Sequence, residues 1–504
     1  MAAVDPRLFP RRVRYAALLA VNVYVFMGNM YSVSVDVCNI EALHPNNLSH
    51  TQSGIATGFE SLAIYFHADN DQLSALIVYS VLAMGLANLF WMPLALCFGK
   101  RPVVLVSMAM FLGGVIWSVV AQTYDSLLAS RVFASFGYGA IESLGPSILA
   151  DIFFERNYAS AMAVYAAFLS GGSQIGPMIA GYLIEARGWR WFFILCAIIA
   201  AVNFVTAIFM LPETIYEPDE QPATAEENEE IEKGLDSHLE TIPTRSQVGD
   251  RVKMDYGEYF KGLFTLNITK GAKEKGVFKF FAYLLVLPLP LLLVPGVLIA
   301  SIMYGAVLGG IVVISTLSPS LFSPPPYLFT SSELGLFTLS SFIGIVIAWP
   351  IAGPLTDILS RWLRKRNGNV HKPEHRLPAL IFPFLVCPVG LVVFGYTVAR
   401  QEHYVKPAVG AAISAAGLTL VPSVMLSYVV DSYPRASGEA LVLVNASKNV
   451  VAFGLAKGAY AWMAQEGVDK MFYELAGIQW ACIFLALPLY IFGPWMRART
   501  QKVL

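Results

Sequence analysis

The sequence contains twelve apolar blocks, each about long enough to cross a membrane as a helix. Roughly 20 consecutive apolar residues span the hydrocarbon core of a bilayer. The blocks predict spans at residues 15–36, 74–96, 102–121, 126–150, 159–184, 190–211, 293–317, 332–356, 378–398, 406–430, 439–462 and 474–495. The predicted fold class is therefore an all-α integral membrane protein with twelve transmembrane helices.

A long polar stretch divides these spans into two groups of six. The division predicts an N-terminal six-helix half at residues 1–211 and a C-terminal six-helix half at residues 293–504. Between them, residues 212–292 form a central loop that ends in an apolar segment. The loop begins with an acidic, proline-rich stretch, which we expect to be disordered because it has little apolar surface to bury.

The apolar run before the seventh span decides the helix count. Pro288, Pro290 and Pro295 interrupt this run, and proline removes a helix donor and clashes with the preceding turn. We therefore expect residues 279–292 to form an interfacial segment and the seventh span to begin directly after it. The basic and aromatic residues before this segment predict either an amphipathic helix on the inner leaflet or a solvated linker.

Basic residues predict which side of the membrane each loop faces, because short loops rich in Lys and Arg lie in the cytoplasm. With twelve spans, all the basic clusters fall on one side: Arg7, Arg11, Arg12 and Arg14, then Lys100 and Arg101, then Arg361, Arg364, Lys365, Arg366, Lys372 and Arg376, and finally Arg497, Arg499 and Lys502. The loop at 37–73 contains no Lys or Arg. Both termini are therefore predicted to be cytoplasmic, and Asn47, in an Asn-Leu-Ser sequon, is predicted to be glycosylated on the other side.

Polar groups inside the spans are the candidate functional residues, since their insertion into a membrane is costly. In the fourth span Arg131 and Glu142 are eleven residues apart, close to three helical turns, and they share a face with Tyr138. Such a stripe must face protein or a water-filled cavity. Two readings stay open here, a cavity lining and pairing with neighbouring helices.

Two further clusters occur at helical spacing: Asn22, Asn29 and Asp36 in the first span, and Asn445, Lys448 and Asn449 in the eleventh. Lys448 lies far from either interface, so its ammonium cannot easily reach the headgroups. It is expected to pair with a carboxylate or to face the cavity. Lys457 lies nearer the outer end of the span, where its side chain can extend to the interface.

Several classes of protein are excluded. The sequence has no GxxxxGK[ST] loop for ATP, no HExxH or GxSxG, and no CxxC spacing, so neither an enzyme, a metal site nor a cofactor is predicted. A net charge of -1 gives no reason to expect nucleic acid as a partner. If the protein moves a solute across the membrane, the driving force must then come from a gradient, because the sequence has no loop for ATP.

A proton gradient has enough energy to drive the accumulation of a solute. One proton crossing about 100 mV gains about 2.3 kcal/mol, and each pH unit adds about 1.4 kcal/mol. Together these support a solute gradient of several hundred-fold. Glu142 and Asp36 are the carboxylates best placed to carry the proton.

Residues 172–181, GSQIGPMIAG, resemble the fifth-helix gxxxGPxxGG motif of the major facilitator superfamily, in its fungal drug:proton antiporter branch. The matching positions are Gly172, Gly176, Pro177 and Gly181, with Ala180 replacing one glycine. Arg131 resembles the arginine of the family's fourth-helix motif. The stretches HKPEHRLPAL and YVVDSYPRASGEALVLVNASKNVVAFG are similar to a subgroup that includes polyamine and histidinol-type carriers.

The loop after the second span departs from the family's GxLaDrxGrr pattern. It keeps Gly99, Lys100 and Arg101 but has Leu96 where the aspartate is expected, so a charge latch in the N-terminal half is in doubt. The copy of this pattern in the C-terminal half retains Gly353, Asp357 and Arg361.

The resemblance implies two six-helix halves around a central cavity that opens alternately to either side, lined by the first, fourth, seventh and tenth helices. With the residues above, it suggests substrate or proton contacts at Asn22, Asn29, Asp36, Arg131, Tyr138, Glu142, Gln174, Tyr304, Tyr428, Asn445, Lys448 and Asn449. The expected activity is proton-coupled export of a small organic molecule by a monomer in the plasma membrane. Alternatives are proton symport of a polyamine or organic acid, and a nutrient sensor that does not transport.

Overall fold

The computed structural model describes residues 6–33, 70–215, 269–368, 372–433 and 436–500. Within those ranges all regular structure is helical. The twelve long helices are α1 (Arg11–Val33), α2 (Asn70–Phe98), α3 (Lys100–Val120), α4 (Tyr124–Ile152), α5 (Glu155–Arg187), α6 (Trp189–Met210), α7 (Pro295–Phe322), α8 (Ser331–Arg366), α9 (Ile381–Ala399), α10 (Val405–Ser432), α11 (Ser437–Lys457, continued by Ala459–Glu466) and α12 (Val468–Phe484, continued by Ala486–Thr500).

The predicted all-α architecture with twelve long helices is confirmed. By length and composition alone, ten of these helices can cross a membrane. The other two, α4 and α5, have 29 and 33 residues and are more polar. In α4 the polarity comes from Arg131 and Glu142, from Asp125 and Asp151 near the two ends, and from several serines.

The helices pack into two groups, α1–α6 and α7–α12. The first group encloses one continuous cluster of buried apolar side chains, which runs from Ala17 to Leu211. The groups meet where α2 packs against α11 and where α5 packs against α8. We call the end of the bundle that carries the start of α1 and the end of α12 the terminal face, and the opposite end the loop face.

The contacts between the two groups extend from the middle of the bundle to the loop face. At the loop end of α5, the Glu185 carboxylate accepts a hydrogen bond from the backbone N–H of Ser332 in α8, at 3.1 Å. On the other side of the bundle, the rings of Tyr79 in α2 and Phe453 in α11 lie 5.5 Å apart. The Lys457 ammonium lies 4.8 Å from the centroid of the Tyr79 ring.

The chain ahead of α7 forms separate short helices. One helix covers Val277–Val286, a 3-10 turn follows at Leu289–Leu293, and Pro295 is the first residue of α7. The short helix rests on α2, where the Phe281 and Phe90 rings are 5.7 Å apart. Its position at a membrane interface stays a prediction.

Candidate functional site

An ion pair joins the two halves in the middle of the bundle. The ammonium Nζ of Lys448 in α11 lies 3.3 Å from Oε1 of Glu142 in α4. Both side chains are only 7% exposed, so bulk water scarcely solvates either charge. Both residues are predicted from the sequence as functional candidates, and the structure brings them together as partners.

Two amides complete the surroundings of the carboxylate. Asn88 in α2 donates its Nδ2 hydrogen to Oε2 of Glu142 at 3.2 Å, and Asn449 in α11 donates to the same oxygen at 3.5 Å. The amide oxygens of both asparagines are buried and accept no hydrogen bond from the described residues. These two buried amide oxygens can each accept a hydrogen bond from a further donor.

An aromatic ring supports the ammonium. The Nζ atom of Lys448 lies 4.7 Å from the centroid of the Tyr304 ring, which belongs to α7. A cation over an aromatic face gains about 0.5 to 2 kcal/mol, more where water is excluded. Tyr304 was predicted as a cavity residue, and it lies next to the predicted lysine.

Glycines allow the four helices to converge on this pair. A Cβ atom at Gly85 of α2 would lie 2.5 Å from Cβ of Asn449, and one at Gly305 of α7 would lie 2.5 Å from Cβ of Val451. Both distances are too short for any side chain larger than hydrogen. The close packing of α2 and α7 on α11 brings Asn88 and Tyr304 within reach of Glu142 and Lys448.

A second polar cluster joins α1 to α4, one turn closer to the loop face. Asn29 donates its Nδ2 hydrogen to the hydroxyl of Tyr138 at 2.6 Å, and that hydroxyl donates to the carbonyl of Val25 at 3.2 Å. Asn22 is buried on the same helix as Asn29. Tyr138 precedes Glu142 by four residues, so it occupies the same face of α4.

Arg131 lies apart from the central pair. Its side chain is fully buried, and its guanidinium donates to the carbonyls of Ser32, Leu76 and Tyr31 at 2.8, 3.0 and 3.4 Å. The carbonyls of Ser32 and Tyr31 belong to the last turn of α1, which leaves its final C=O groups without partners within the helix. Arg131 therefore ties the loop ends of α1, α2 and α4 together.

The fifth-helix motif lies where α5 packs on α8. A Cβ atom at Gly335 of α8 would lie 2.7 Å from the carbonyl oxygen of Pro177, so the two backbones touch there. The carbonyl of Gln174 accepts a hydrogen bond from the Thr338 hydroxyl at 2.9 Å. A cavity of about 20 Å³ lies beside these groups, large enough for one water molecule.

Other predicted residues lie away from the centre or outside the described ranges. Tyr428 is buried towards the terminal face, where its ring approaches Gly296, and the structure does not bring it to the Glu142–Lys448 pair. Asn445 lies one turn before Asn449, and its carbonyl accepts a hydrogen bond from the Asn449 amide at 3.2 Å. Asp36 and Asn47 lie outside the described residues.

The model of the family described as Major Facilitator Superfamily matches residues 46–456. The chain belongs to the major facilitator superfamily. Its relatives include Protein HOL1 of Saccharomyces cerevisiae, 24% identical over 465 residues that cover 84% of this chain and 79% of that protein. Another is the MFS transporter cpaT of Aspergillus oryzae, 27% identical over 434 residues that cover 82% and 76% of the two chains.

A solved structure shares the fold. The xylose transporter XylE from E. coli, in a partially occluded inward open conformation, superposes with a TM-score of 0.59 at 13% identity, covering 95% of this chain and 97% of that one. The major facilitator fold and the family membership confirm a multi-pass membrane transporter of small molecules that works by alternating access. They also confirm that the protein is not an enzyme.

This major facilitator protein has a charged network at the terminal face of its N-terminal half, although Leu96 replaces the aspartate of the family pattern. The Lys100 ammonium lies 2.5 Å from Oδ2 of Asp151, at the end of α4. The Glu213 carboxylate accepts the backbone N–H groups of Lys100 and Arg101 at 3.1 and 3.3 Å, at the N-terminus of α3. Glu213 was not predicted from the sequence as a functional residue.

The C-terminal half repeats this arrangement with one reversal of charge. Arg376, just before α9, pairs with Asp431 in the last turn of α10 at 2.7 Å, as Lys100 pairs with Asp151. The reversal concerns the group at the end of the sixth helix of each half. After α6 this group is the Glu213 carboxylate, whereas at the end of α12 it is the cation Arg497, which lies 3.3 Å from the Glu374 carboxylate.

The matched motif residues of this half lie on α8. A Cβ atom at Gly353 would meet nothing within 4 Å, and Arg361 is on the exposed end of the helix. The side chain of Asp357 lies outside the described part of the structure.

Proposed function

We propose that this protein is a proton-coupled exporter of a small organic molecule, and that the Glu142–Lys448 pair couples the proton to the change of state. The observation that carries the proposal is the position of the pair. It lies at mid-depth and joins one helix of each half, so any change in its charge acts on the contact between the halves.

The coupling follows from the energetics of buried charge. A paired Glu142 and Lys448 are electrically neutral together, whereas a proton on Glu142 leaves a buried ammonium without its counter-charge. An uncompensated charge in such a site costs several kcal/mol. Protonation of Glu142 therefore favours a state in which α11 has moved and Lys448 has found another partner or water.

We infer that the terminal face is cytoplasmic and that the structure is inward-facing. The basic loops support this orientation. The contacts between the halves, from the middle to the loop face, then close the outer side, while the terminal parts of α2, α5, α8 and α11 are free to separate. Alternating access would exchange these two sets of contacts.

Export by antiport is supported by the glycine and proline motif of α5. The motif resembles that of the antiporter branch, which favours an exchanger over a symporter as the proposal. Gly172 packs on α1, where a Cβ atom would lie 2.3 Å from the carbonyl oxygen of Phe26, and the Pro177 carbonyl packs on α8. The motif thus occupies the helix that touches both the first helix and the opposite half.

The direction is tested in cells and then in vesicles. Extracellular small molecules are compared between strains that lack and strains that overproduce the protein. We expect the extracellular concentration of one organic compound to be lower for the first strains and higher for the second. Purified protein in vesicles should then move this compound against an imposed proton gradient. Movement together with protons would instead indicate symport. If no compound differs between the strains and none is transported in vesicles, the protein would be a sensor.

A further inference from the structure

A groove opens on the outside of the C-terminal half, between α9 and α12. Its volume is about 510 Å³. Among the described residues that line it, Tyr490 has the only polar side-chain atom. Several of the lining side chains are well exposed, including Ile381 at 64% and Phe484 at 56%, so the groove is accessible from the bilayer.

Two prolines shape this groove. Pro488 has no N–H to donate to the carbonyl of Phe484 one turn earlier, and α12 is interrupted at Leu485. In α9, Pro388 frees the carbonyl of Phe384 in the same way. That carbonyl accepts a hydrogen bond from Nε1 of Trp480 in α12, at 2.9 Å.

The groove has a polar end and an apolar end. α9 runs from the terminal face towards the loop face, and α12 runs in the opposite direction. Tyr490, Leu377 and Pro378 therefore all line the part of the groove towards the terminal face, and the Phe384–Trp480 hydrogen bond lies further from that face. A tyrosine is well suited to a membrane interface, because its ring is apolar and its hydroxyl reaches polar groups.

We propose that this groove binds a sterol, with its hydroxyl at Tyr490 and its fused rings on the apolar walls of α9 and α12. The helical turns from Leu377 to Leu385, which line one wall of the groove, are about 12 Å long. This length suits a rigid ring system better than an extended acyl chain. The cations Arg376 and Arg497, at this end of the bundle, are paired with Asp431 and Glu374, so neither of these two described side chains offers a phosphate headgroup an unpaired charge.

The test uses the purified full chain in phosphatidylcholine vesicles with a sterol that carries a photoreactive diazirine. Labelling is expected on peptides that cover residues 377–385 and 483–490, and unlabelled sterol should compete for it. Ala486→Trp fills the groove and should abolish the label at both peptides. Ile347→Trp, on the exposed face of α8, is the matched control and should leave the label unchanged.

Tyr490→Phe provides a second readout, because it removes one hydroxyl and keeps the packing. The loss of one hydrogen bond should lower labelling about two- to tenfold. Equal labelling of the wild type, Ala486→Trp and Tyr490→Phe would overturn the proposal. Competition by unlabelled phospholipid as strong as that by sterol would also overturn it, and would assign the groove to an acyl chain.

Discussion

The carboxylate of Glu142 and the ammonium of Lys448 lie 3.3 Å apart across the boundary between the two halves, although 306 positions separate them in the chain. Each helix places its charge in the bundle only because the other supplies a partner. The pair is therefore a structural contact between the halves, and under the proposed mechanism a proton on Glu142 would weaken that contact.

The first prediction concerns stability. Either Glu142→Gln or Lys448→Gln removes one partner and leaves the other without its counterpart, so each should destabilise the protein by about 3–5 kcal/mol. The double variant should lose less than the sum, because no lone charge remains. Apparent melting temperatures in detergent would measure the cycle, with Lys457→Gln on the same helix as control. Losses that add in the double variant would contradict the pairing.

The second prediction concerns coupling. Glu142→Gln cannot take up a proton, so accumulation driven by a pH gradient should fall at least tenfold in vesicles. Exchange of substrate for substrate needs no net proton movement and should continue. Glu185→Gln, which keeps its contact at the loop end of α5, is the control. If the variant still accumulates substrate at the full rate, Glu142 does not carry the coupling proton.

The third prediction concerns the turn between α2 and α3. Gly99 has a φ of 98°, and a Cβ atom there would lie 2.4 Å from Oε2 of Glu213. Gly188 has a φ of 84° but meets nothing within 4 Å. Alanine at Gly188 should therefore cost about 1–3 kcal/mol for backbone strain alone, and alanine at Gly99 should cost more because it also displaces Glu213. Equal losses in thermal stability would show that the contact with Glu213 contributes nothing.

The fourth prediction concerns the change of state. Gly85→Ala would push α2 away from Asn449, whereas Gly454→Ala, on α11, places its methyl where nothing lies within 4 Å. The first variant should favour states with the loop face open, and the second should not. Spin labels at Gln72 and Gln465, in a background without native cysteines, would report a longer distance for Gly85→Ala only. Identical distance distributions in the two variants would contradict this role for Gly85.

Much of the fold follows from local sequence. The apolar blocks fix the twelve helices, and prolines such as Pro295 fix where α7 begins, because hydrophobicity and the missing N–H act within a few residues. Lys448 and Glu142 were also recognisable singly, since a charge in an apolar block needs a partner.

Their pairing was not predictable, because it depends on how α4 and α11 are rotated and how deep each lies. Asn88 was missed for a related reason. A single amide in a long apolar helix is a weak signal, and only its position opposite Glu142 gives it a role. In the same way, Leu96 made a charged turn doubtful, yet Glu213 and Asp151 supply the carboxylates from distant positions.

The hydrogen bonds around that turn have a consequence for the long connection between the halves. Glu213 binds the backbone at the start of α3, and Thr269 binds the carbonyls of Leu96 and Cys97 at the end of α2, at 2.9 and 3.2 Å. Both ends of the intervening stretch are thus anchored to one half. The connection to the C-terminal half then lies within the segment from Lys270 to Leu293, whose helix at Val277–Val286 itself rests on α2. A folded tag inserted between the two anchors should travel with the N-terminal half and leave the transport cycle unhindered.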